Sequence, residues 1–257
     1  MPAEGAPSLL LVEDLPGVGR HVTLREDESH YLMRVCRARP GDRVSATDGR
    51  GALATLRVVA GGRAAVVEVE ACDRSERTRE AWVLSGPPEG ERGDWMVEKL
   101  AELGVAVFQP LDCERGGWDR MKGRAERWRR LAVAALRQSR RRFLVEIRDP
   151  LPVADALAGL PAGAGRWVGD AAGAGAATLG PPGTGLAIGL IGPSSGFSES
   201  ERELVAGDRF TAICLSDSRL RTETAALAWA CWWSGAVPSP PRHADSGPGL
   251  DARAMRP

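Results

Sequence analysis

Three turns at the ends of predicted strands hold the residues best placed for chemistry. They are Gly169-Asp170, residues 192–197 (Gly-Pro-Ser-Ser-Gly-Phe) and residues 215–218 (Leu-Ser-Asp-Ser). In an open α/β sheet, ligands bind beyond the carboxyl ends of the strands, where loops expose backbone donors and acceptors. A glycine after a strand is more often a simple turn, so each turn alone is weak evidence. Together the three turns could form one pocket for an adenine nucleoside.

The motifs disfavour other nucleotide sites and metal sites. The sequence has no Gly-x-Gly-x-x-Gly after the first strand of this region and no phosphate-binding loop ending in Gly-Lys-Ser/Thr, which argues against a dinucleotide enzyme and an NTPase. The five cysteines include no Cys-x-x-Cys pair and the three histidines are dispersed, so the spacing of a zinc site is absent. We therefore expect no metal, and reduced, mostly buried thiols.

Charge is balanced overall but clustered locally. The chain has 34 basic and 34 acidic residues, yet residues 120–142 hold ten basic residues against one acid, Glu126. Such a run is usually a solvated helix face. Alternatively, because phosphate contacts dominate nucleic-acid affinity, it forms a track for an RNA backbone. The candidate RNA-binding residues are Arg34, Arg37, Arg140, Arg141 and Arg142.

Two patterns of secondary structure must position these residues. Residues 8–72 contain short β segments, among them Leu53–Val59 and Ala64–Val69, separated by Gly, Pro and Asp turns, which predicts a small β-barrel. Residues 73–79 read as a linker. From Ala81 onward strands alternate with helices, which predicts a mostly parallel sheet covered by helices in a domain spanning residues 80–237. The predicted strands of this domain are Ala81–Ser85, Val105–Leu111, Trp167-Val168, Leu186–Ile191 and Thr211–Leu215.

Four helices have recognisable signals. Asp94 is expected to cap a helix whose core face is Met96, Leu100 and Leu103 and which ends at Gly104. Residues 128–136 have amphipathic spacing. Ser198 and Glu201 form a capping box. The last helix, Thr224–Trp233, is apolar on nearly all sides and should be buried on more than one side.

The remaining segments carry fewer signals. Residues 154–185 are rich in Ala, Gly and Pro and are expected to be partly flexible, and residues 238–257 are expected to be a disordered tail. Residues 1–15 lack the pattern of a signal peptide, and no apolar run approaches the roughly 20 residues that span a membrane. These features predict a cytoplasmic protein without a membrane partner.

Five segments match one known family in order along the chain. They are residues 30–49, which end in Asp-Gly; residues 95–105 (WMVEKLAELGV); residues 138–141 (Gln-Ser-Arg-Arg); residues 191–197, with Gly-Pro and Gly-Phe; and residues 220–225 (Leu-Arg-Thr-Glu-Thr-Ala). The chain resembles the SPOUT-class methyltransferases that modify uridine N3 of small-subunit ribosomal RNA. The last segment reproduces a signature of that family in full.

The resemblance implies a fold, a cofactor and partners. The expected fold is an α/β, trefoil-knotted, mostly parallel sheet domain preceded by a small PUA-like β-barrel. S-adenosylmethionine is the expected methyl donor, ribosomal RNA or the small ribosomal subunit the expected substrate, and a homodimer the expected assembly. The residues expected to bind the cofactor are Gly169, Asp170, Ile191, Gly192, Pro193, Gly196, Leu215, Ser216, Leu220, Thr222, Thr224 and Ala225.

The implied reaction assigns roles to two further residues. Methylation at N3 requires loss of the imide proton and in-line attack on the methyl group, while negative charge spreads to the uracil oxygens. Arg221 is the candidate catalytic cation, and Glu223 is expected to orient it or to accept a proton. The alternative is that Arg221 and Glu223 form a structural ion pair.

The chain also departs from the family pattern. Ser194-Ser195 replace Glu-Gly in the Gly-Pro loop, and residues 215–218 replace Leu-Gly-x-Arg. A serine where glycine had a positive φ would strain the loop. We therefore expect weak cofactor binding that Ser195→Gly with Ser216→Gly would tighten, unless the loops have re-formed around the hydroxyl groups. Two other functions stay open: an inactive relative that binds RNA as a dimeric scaffold, and a methyltransferase with another acceptor.

The tryptophans are expected in the core or at the dimer contact rather than stacked on bases. Trp95 and Trp128 lie in helical apolar patterns, as do Trp229, Trp232 and Trp233 of the last helix. We expect the last helix to contribute to the homodimer.

Overall fold

The computed structural model describes residues 9–118 and 124–235. Ser8, the proposed tail at 238–257, and Arg120 and Lys122 of the basic run lie outside the described residues.

The N-terminal unit, residues 9–74, is built on a five-stranded sheet in the order β1-β3-β4-β5-β2. Only the β1–β3 pair is parallel. Burial alternates along β4, as its sequence predicts, because successive side chains of a strand point to opposite faces. The strands are β1 (Leu9–Leu11), β2 (His21–Thr23), β3 (Arg43–Thr47), β4 (Ala52–Ala60) and β5 (Val66–Arg74).

In this unit the structure corrects the start of the predicted linker and contains a short helix that was not predicted. The predicted linker begins too early, because β5 continues to Arg74, where it pairs with Ala52 and where the Arg74 guanidinium binds the Asp48 carboxylate at 2.7 Å. A short helix α1 (Glu26–His30) runs directly into a π-helical turn, Tyr31–Val35.

The C-terminal unit, residues 79–235, contains a parallel sheet, as predicted. Its strands follow the order β12-β10-β11-β6-β7-β8, with β9 beside β7, and every pair is parallel. The strands are β6 (Arg79–Ser85), β7 (Val107–Asp112), β8 (Glu146–Ile147), β9 (Leu151–Pro152), β10 (Gly165–Gly175), β11 (Gly185–Ile191) and β12 (Thr211–Cys214). A knot depends on how the chain is threaded and not on strand order, so the knot stays a prediction.

In the part of this unit that the structure describes, six helices cover the sheet. They are α2 (Gly93–Leu103), α3 (Arg124–Ser139), α4 (Val153–Ala158), α5 (Ala176–Leu179), α6 (Glu199–Gly207) and α7 (Thr222–Ser234). The capping box at Ser198 is confirmed, and Gly104 ends α2 with a left-handed φ of 83°. The expected cap at Asp94 is wrong: Asp94 lies in the first turn of α2, and its carboxylate accepts a hydrogen bond from the Trp128 indole at 2.7 Å.

The segment expected to be partly flexible, residues 154–185, is ordered. It contains α4, α5 and β10, an inner strand of the sheet. At Gly173 close packing excludes a side chain: a Cβ there would lie 2.4 Å from the carbonyl carbon of Ala212 on β12. This glycine therefore reflects close backbone contact between β10 and β12, whereas a Cβ at Gly163, Gly180, Gly183 or Gly185 would meet no atom within 4 Å.

The last helix, α7, is buried within its own chain. Trp229 has no exposed surface and packs on Gly189 of β11, where an added Cβ would lie 2.3 Å from the indole. Trp232 is half-buried against Trp167, with 5.5 Å between ring centroids. Trp229 therefore lies in the core of its own chain, one of the two places expected for it, and the contribution of α7 to a dimer contact stays a prediction. The homodimer itself stays a prediction.

The five cysteines are free, but the expectation that most are buried is wrong: Cys113 is buried, whereas Cys72 and Cys231 are exposed. Within the described ranges, no helix combines the length and the apolar character needed to cross a membrane.

Candidate active site

A cavity of about 730 Å³ opens at the carboxyl edge of the parallel sheet. The loop after β11 meets residues 168–171 there, and the start of α7 closes one side. The turn predicted at Gly169-Asp170 is wrong, because both residues lie inside β10, where the pairing with β12 shifts register between Gly169 and Ala174. The predicted residues that line the cavity are Gly169, Asp170, Ile191, Gly192, Pro193, Gly196, Leu220, Arg221, Thr222, Glu223 and Ala225.

Three residues of the predicted cofactor set are not among those lining the cavity. Leu215 is near the lining residue Gly169, since its Cδ1 would be 3.7 Å from a Cβ added there, but it is not itself part of the lining. Ser216 is engaged within its own turn, where its hydroxyl accepts from the Ser218 amide at 3.2 Å. Thr224 is exposed on α7. Their assignment as cofactor contacts therefore lacks geometric support.

The loop after β11 is held in place by its neighbours. Thr222 at the start of α7 donates to the Gly192 carbonyl at 3.1 Å. A Cβ at Gly192 would come within 3.2 Å of the Phe197 ring, and Gly196 has a φ of 75°. Glycine is therefore required at the second of these positions for its backbone conformation and favoured at the first for its close contact.

The serines of the two altered loops are unstrained. Among the described non-glycine residues, a positive φ occurs only at Arg37, Arg140 and Arg209. The Ser195 hydroxyl donates to the Arg115 carbonyl at 2.8 Å. The strain expected at Ser195 and Ser216 is therefore absent.

Glu223 is a buried carboxylate that faces the cavity. It is 4% exposed, and its Oε1 receives the Arg92 guanidinium at 2.9 Å. Its Oε2 is buried and has no hydrogen-bond partner among the described residues. An unpaired buried acceptor is costly, so this oxygen is suited to a ligand proton.

Arg221 stands apart from Glu223. It is exposed at the edge of the cavity and precedes the first residue of α7 with an extended backbone (φ −74°, ψ 158°). The alternative of an Arg221–Glu223 ion pair is wrong, because Arg92 takes the carboxylate. Sequence reasoning missed Arg92, since nothing in its local pattern links it to a partner 131 positions away.

The sequence analysis also missed the contribution of α6 to the cavity. Arg202 and Val205 of this helix line it, and Arg202 donates to the Phe197 carbonyl at 3.1 Å. Glu89, from the loop after β6, lines the opposite side. The capping box located α6, but no signal in it indicated which face meets the cavity.

Most of the basic run serves the structure. Arg141 donates to the Glu102 carbonyl at 2.6 Å near the end of α2, and burial lowers the pKa of its guanidinium. Arg142 binds the Asp73 carboxylate at 2.6 Å, and its own carbonyl accepts from Thr47 at 2.8 Å. Arg141 and Arg142 are therefore both engaged within the chain, and their assignment to RNA binding stays a prediction.

Other arginines of α3 join the two units of the chain. Arg137 forms a buried ion pair with Glu28 and lies 4.0 Å from the centroid of the Tyr31 ring. Arg129 binds Glu13. Arg34 and Arg37 are exposed and, like Arg140, have no side-chain hydrogen bond or ion pair within the described ranges. These three stay candidates for RNA contact.

Comparison with known families decides the class of this chain. A family model described as an RNA methyltransferase domain matches residues 75–234, well over half of the sequence. The chain belongs to this RNA methyltransferase family. A second model, described as an RNA methyltransferase PUA domain, matches residues 24–70. The first match contains every residue that lines the 730 Å³ cavity.

Curated relatives of this RNA methyltransferase carry a common name. The Ribosomal RNA small subunit methyltransferase E of Synechocystis is 33% identical over 132 residues, which are 51% of this chain and 43% of that protein. The protein of the same name from Bacillus subtilis is 26% identical over 218 residues, which cover 78% of this chain and 84% of the relative.

Solved structures agree in fold. The Ribosomal RNA small subunit methyltransferase E from Neisseria gonorrhoeae, solved bound to S-adenosyl methionine, is 25% identical with a TM-score of 0.79 and covers 88% of this chain and 95% of its own. A probable rRNA-methyltransferase from Porphyromonas gingivalis is 31% identical with a TM-score of 0.75 and covers 88% of this chain and 96% of its own. The RNA methyltransferase therefore shares its two-unit architecture with these proteins.

Proposed function

We propose that this chain methylates small-subunit ribosomal RNA, with S-adenosylmethionine as donor and uridine N3 as acceptor. One observation carries the proposal: residues 168–171 of β10 and the loop after β11 meet the start of α7 around a single cavity, whose lining includes Glu223, a buried carboxylate with one unpaired oxygen. The names of the curated relatives and the ligand of the Neisseria protein support the substrate and the donor.

The cavity fits the proposed donor in size and chemistry. Ligand pockets typically measure about 300–1,000 Å³, and this one measures about 730 Å³. Gly169, Gly192 and Leu220 offer backbone groups, and Asp170 offers a carboxylate for hydroxyl or ammonium groups. When bound, S-adenosylmethionine would supply an electrophilic methyl group.

The chain's own residues would handle the proton and the charge of the acceptor. Arg92 holds Glu223 by Oε1 and leaves Oε2 able to accept the imide proton. Arg221, at the cavity edge, is the cation available to the uracil oxygens as they gain negative charge. Both groups are fixed at or beside the first turn of α7, so their spacing is set before a substrate arrives.

Finer features of the proposal rest on the resemblance. They are the homodimer, the trefoil knot, the absence of a metal, and a cytoplasmic location, where ribosomal RNA is found in bacteria. The division into a PUA-like domain at 8–72 and a methyltransferase domain at 80–237 is part of the same proposal. The scaffold alternative loses its main support, because the serines that motivated it are unstrained.

Two measurements test the proposed function. Calorimetric titration with S-adenosylmethionine should give a 1:1 complex per chain. Mass spectrometry of ribosomal RNA nucleosides should show loss of 3-methyluridine from cells without the gene, restored by the wild-type chain and not by Glu223→Gln. Binding of the donor without any change in RNA nucleosides would favour another acceptor. Absence of donor binding would overturn the proposal.

A further inference from the structure

A second cavity adjoins the first. It measures about 400 Å³ and shares Pro193 and Ser194 with the larger cavity. Its other walls include Pro87, Trp118, Arg115 and Arg124. A ligand in it would therefore lie beside a cofactor in the larger cavity, with Pro193 and Ser194 next to both.

The walls of this second cavity are tightly packed. A Cβ at Gly86 would lie 2.6 Å from the Pro193 nitrogen, and a Cβ at Gly93 would lie 2.9 Å from the Trp118 ring. The Trp118 indole donates to the Ser85 carbonyl at 3.2 Å. These contacts fix the loop after β6 against the loop after β11, so the cavity is formed before any ligand binds.

The segment that carries Arg115 is held by the altered loop. Cys113 and Gly116 exchange two backbone hydrogen bonds of 3.0 Å. The Ser195 hydroxyl donates to the Arg115 carbonyl at 2.8 Å, and the Glu114 amide donates to Glu201 at 2.8 Å. Ser195, one of the departures from the family pattern, thus joins the Arg115 segment to the loop that lines the cofactor cavity.

The positive charges of both arginines in this cavity are incompletely neutralised by carboxylates. Arg115 is exposed, and within the described ranges no carboxylate lies within ion-pair distance of it. The pKa values of Glu114 and Glu199 are lowered mainly by side-chain hydrogen bonds and in smaller part by the charge of Arg115. The closest ion-pair partner of Arg124 is Asp94 at 3.9 Å, and Asp94 is already bound by Arg127 at 2.6 Å. Two under-neutralised guanidinium groups beside a concave site favour an anion, and the planar guanidinium suits phosphate in particular.

We propose that this second cavity binds the acceptor nucleotide of the RNA, with its phosphate on Arg115 and Arg124. This inference rests on the proposed methyl transfer to RNA. A cavity of about 400 Å³ suits one unstacked nucleotide, and enzymes that act on a base take it out of the stack. The shared wall at Pro193 and Ser194 places the base next to the cofactor cavity, where Arg221 and Glu223 lie.

The test uses Arg115→Gln, Arg124→Gln and the double variant, with Arg63→Gln as the matched control. Arg63 is an exposed arginine of the N-terminal unit that lines neither cavity. The probes are S-adenosylmethionine and in-vitro-transcribed small-subunit ribosomal RNA, free or assembled into subunits. The double variant should raise KM for the RNA at least tenfold and leave the donor Kd within twofold of the wild-type value. Arg115→Lys should restore part of the loss, since it keeps the charge.

Equilibrium binding of the same RNA supplies a second, independent readout. Because both arginines hold the same phosphate, the double variant should lose one phosphate contact and flatten the slope of log K against log salt by about 0.7. An unchanged KM and slope would overturn the inference. A parallel loss of donor affinity would also overturn it, by assigning the arginines to the carboxylate of the cofactor. If the wild-type chain binds no donor, methyl transfer fails, while the salt slope still decides whether this cavity binds RNA.

Discussion

The buried ion pair between α3 and the N-terminal unit allows a quantitative prediction. Glu28 is 4% exposed and accepts hydrogen bonds from the Leu11 amide at 3.2 Å and from Arg137. The Arg137 guanidinium also lies over the Tyr31 ring at 4.0 Å. Arg137→Met keeps most of the apolar stem and removes the charge, so the Glu28 carboxylate is left buried with one remaining donor.

The size of the effect follows from this burial. Removing one partner of a buried pair costs about 3–5 kcal/mol, because the other charge is left uncompensated. For a chain of this size each kcal/mol corresponds to about 2–4 °C in Tm, so we expect a fall of roughly 6–20 °C. Arg130→Met is the matched control: Arg130 is an exposed residue of the same helix, and its loss should change stability by no more than about 0.5 kcal/mol.

The pH dependence of the loss has a definite sign. Burial raises the pKa of Glu28, and the charge of Arg137 opposes that rise. Without Arg137 the pKa rises further, so the variant favours a protonated carboxyl. A group whose pKa is raised in the folded state contributes stability at low pH that is lost as pH rises through the folded pKa. The deficit of Arg137→Met should therefore be smaller at pH 5 than at pH 7.

Urea unfolding of the two variants at both pH values is the assay. Adding Glu28→Gln to Arg137→Met should recover much of the loss, since no buried charge remains. The reasoning is refuted if Arg137→Met is as stable as Arg130→Met at pH 7, or if its deficit does not change with pH.

Three further predictions concern catalysis, reactivity and packing. Arg221→Ala should lower turnover by about 10²–10³-fold and change donor affinity little, because charge on the uracil oxygens grows mainly in the transition state. Steady-state kinetics and calorimetric titration with the donor measure the two effects. Near-normal turnover in this variant would assign Arg221 a structural role instead. Burial raises the pKa of the Cys113 thiol to about 12. Thiol reagents at pH 8 should therefore label the exposed Cys72 and leave Cys113 unmodified in the folded chain, and mass spectrometry of peptides measures both. Gly189→Ala should destabilise the chain by about 1–3 kcal/mol, because the added methyl would lie 2.3 Å from the Trp229 indole; an unchanged Tm would mean that α7 can shift.

Helices and strands were predicted well where the sequence contains a clear periodicity or a capping signal. The alternation of residues 53–59, the capping box at Ser198 and the αL glycine at 104 each have one strong physical cause that acts locally. The sheet was predictable because strands alternate with helices. Half of the cavity-lining residues were predicted too, since parallel strands bring their carboxyl ends to one edge and the family segments marked the loops.

The failures involve partners that are distant in sequence. Asp94 has the side chain of a cap, but the Trp128 indole takes its carboxylate. Composition marked residues 154–185 as partly flexible, although they contain β10, an inner strand on which Gly173 packs against Ala212. The arginines of residues 124–142 look free until Glu13, Glu28 and Asp73 of the other unit are placed opposite them. The charge of one sequence segment does not reveal which opposite charges, distant in sequence, the fold places next to it.

The pairing of α3 with the N-terminal unit matters for experiments that dissect the molecule. A truncated chain that keeps only the C-terminal unit would lose Glu13, Glu28 and Asp73 and would expose the guanidinium groups of Arg129, Arg137 and Arg142 together. Such a fragment would present an artificial polycation that retains nucleic acid during purification and binds any polyanion in a shift assay. The acids of the N-terminal unit act as an intramolecular mask, and only the intact chain reports the affinity of the native surface.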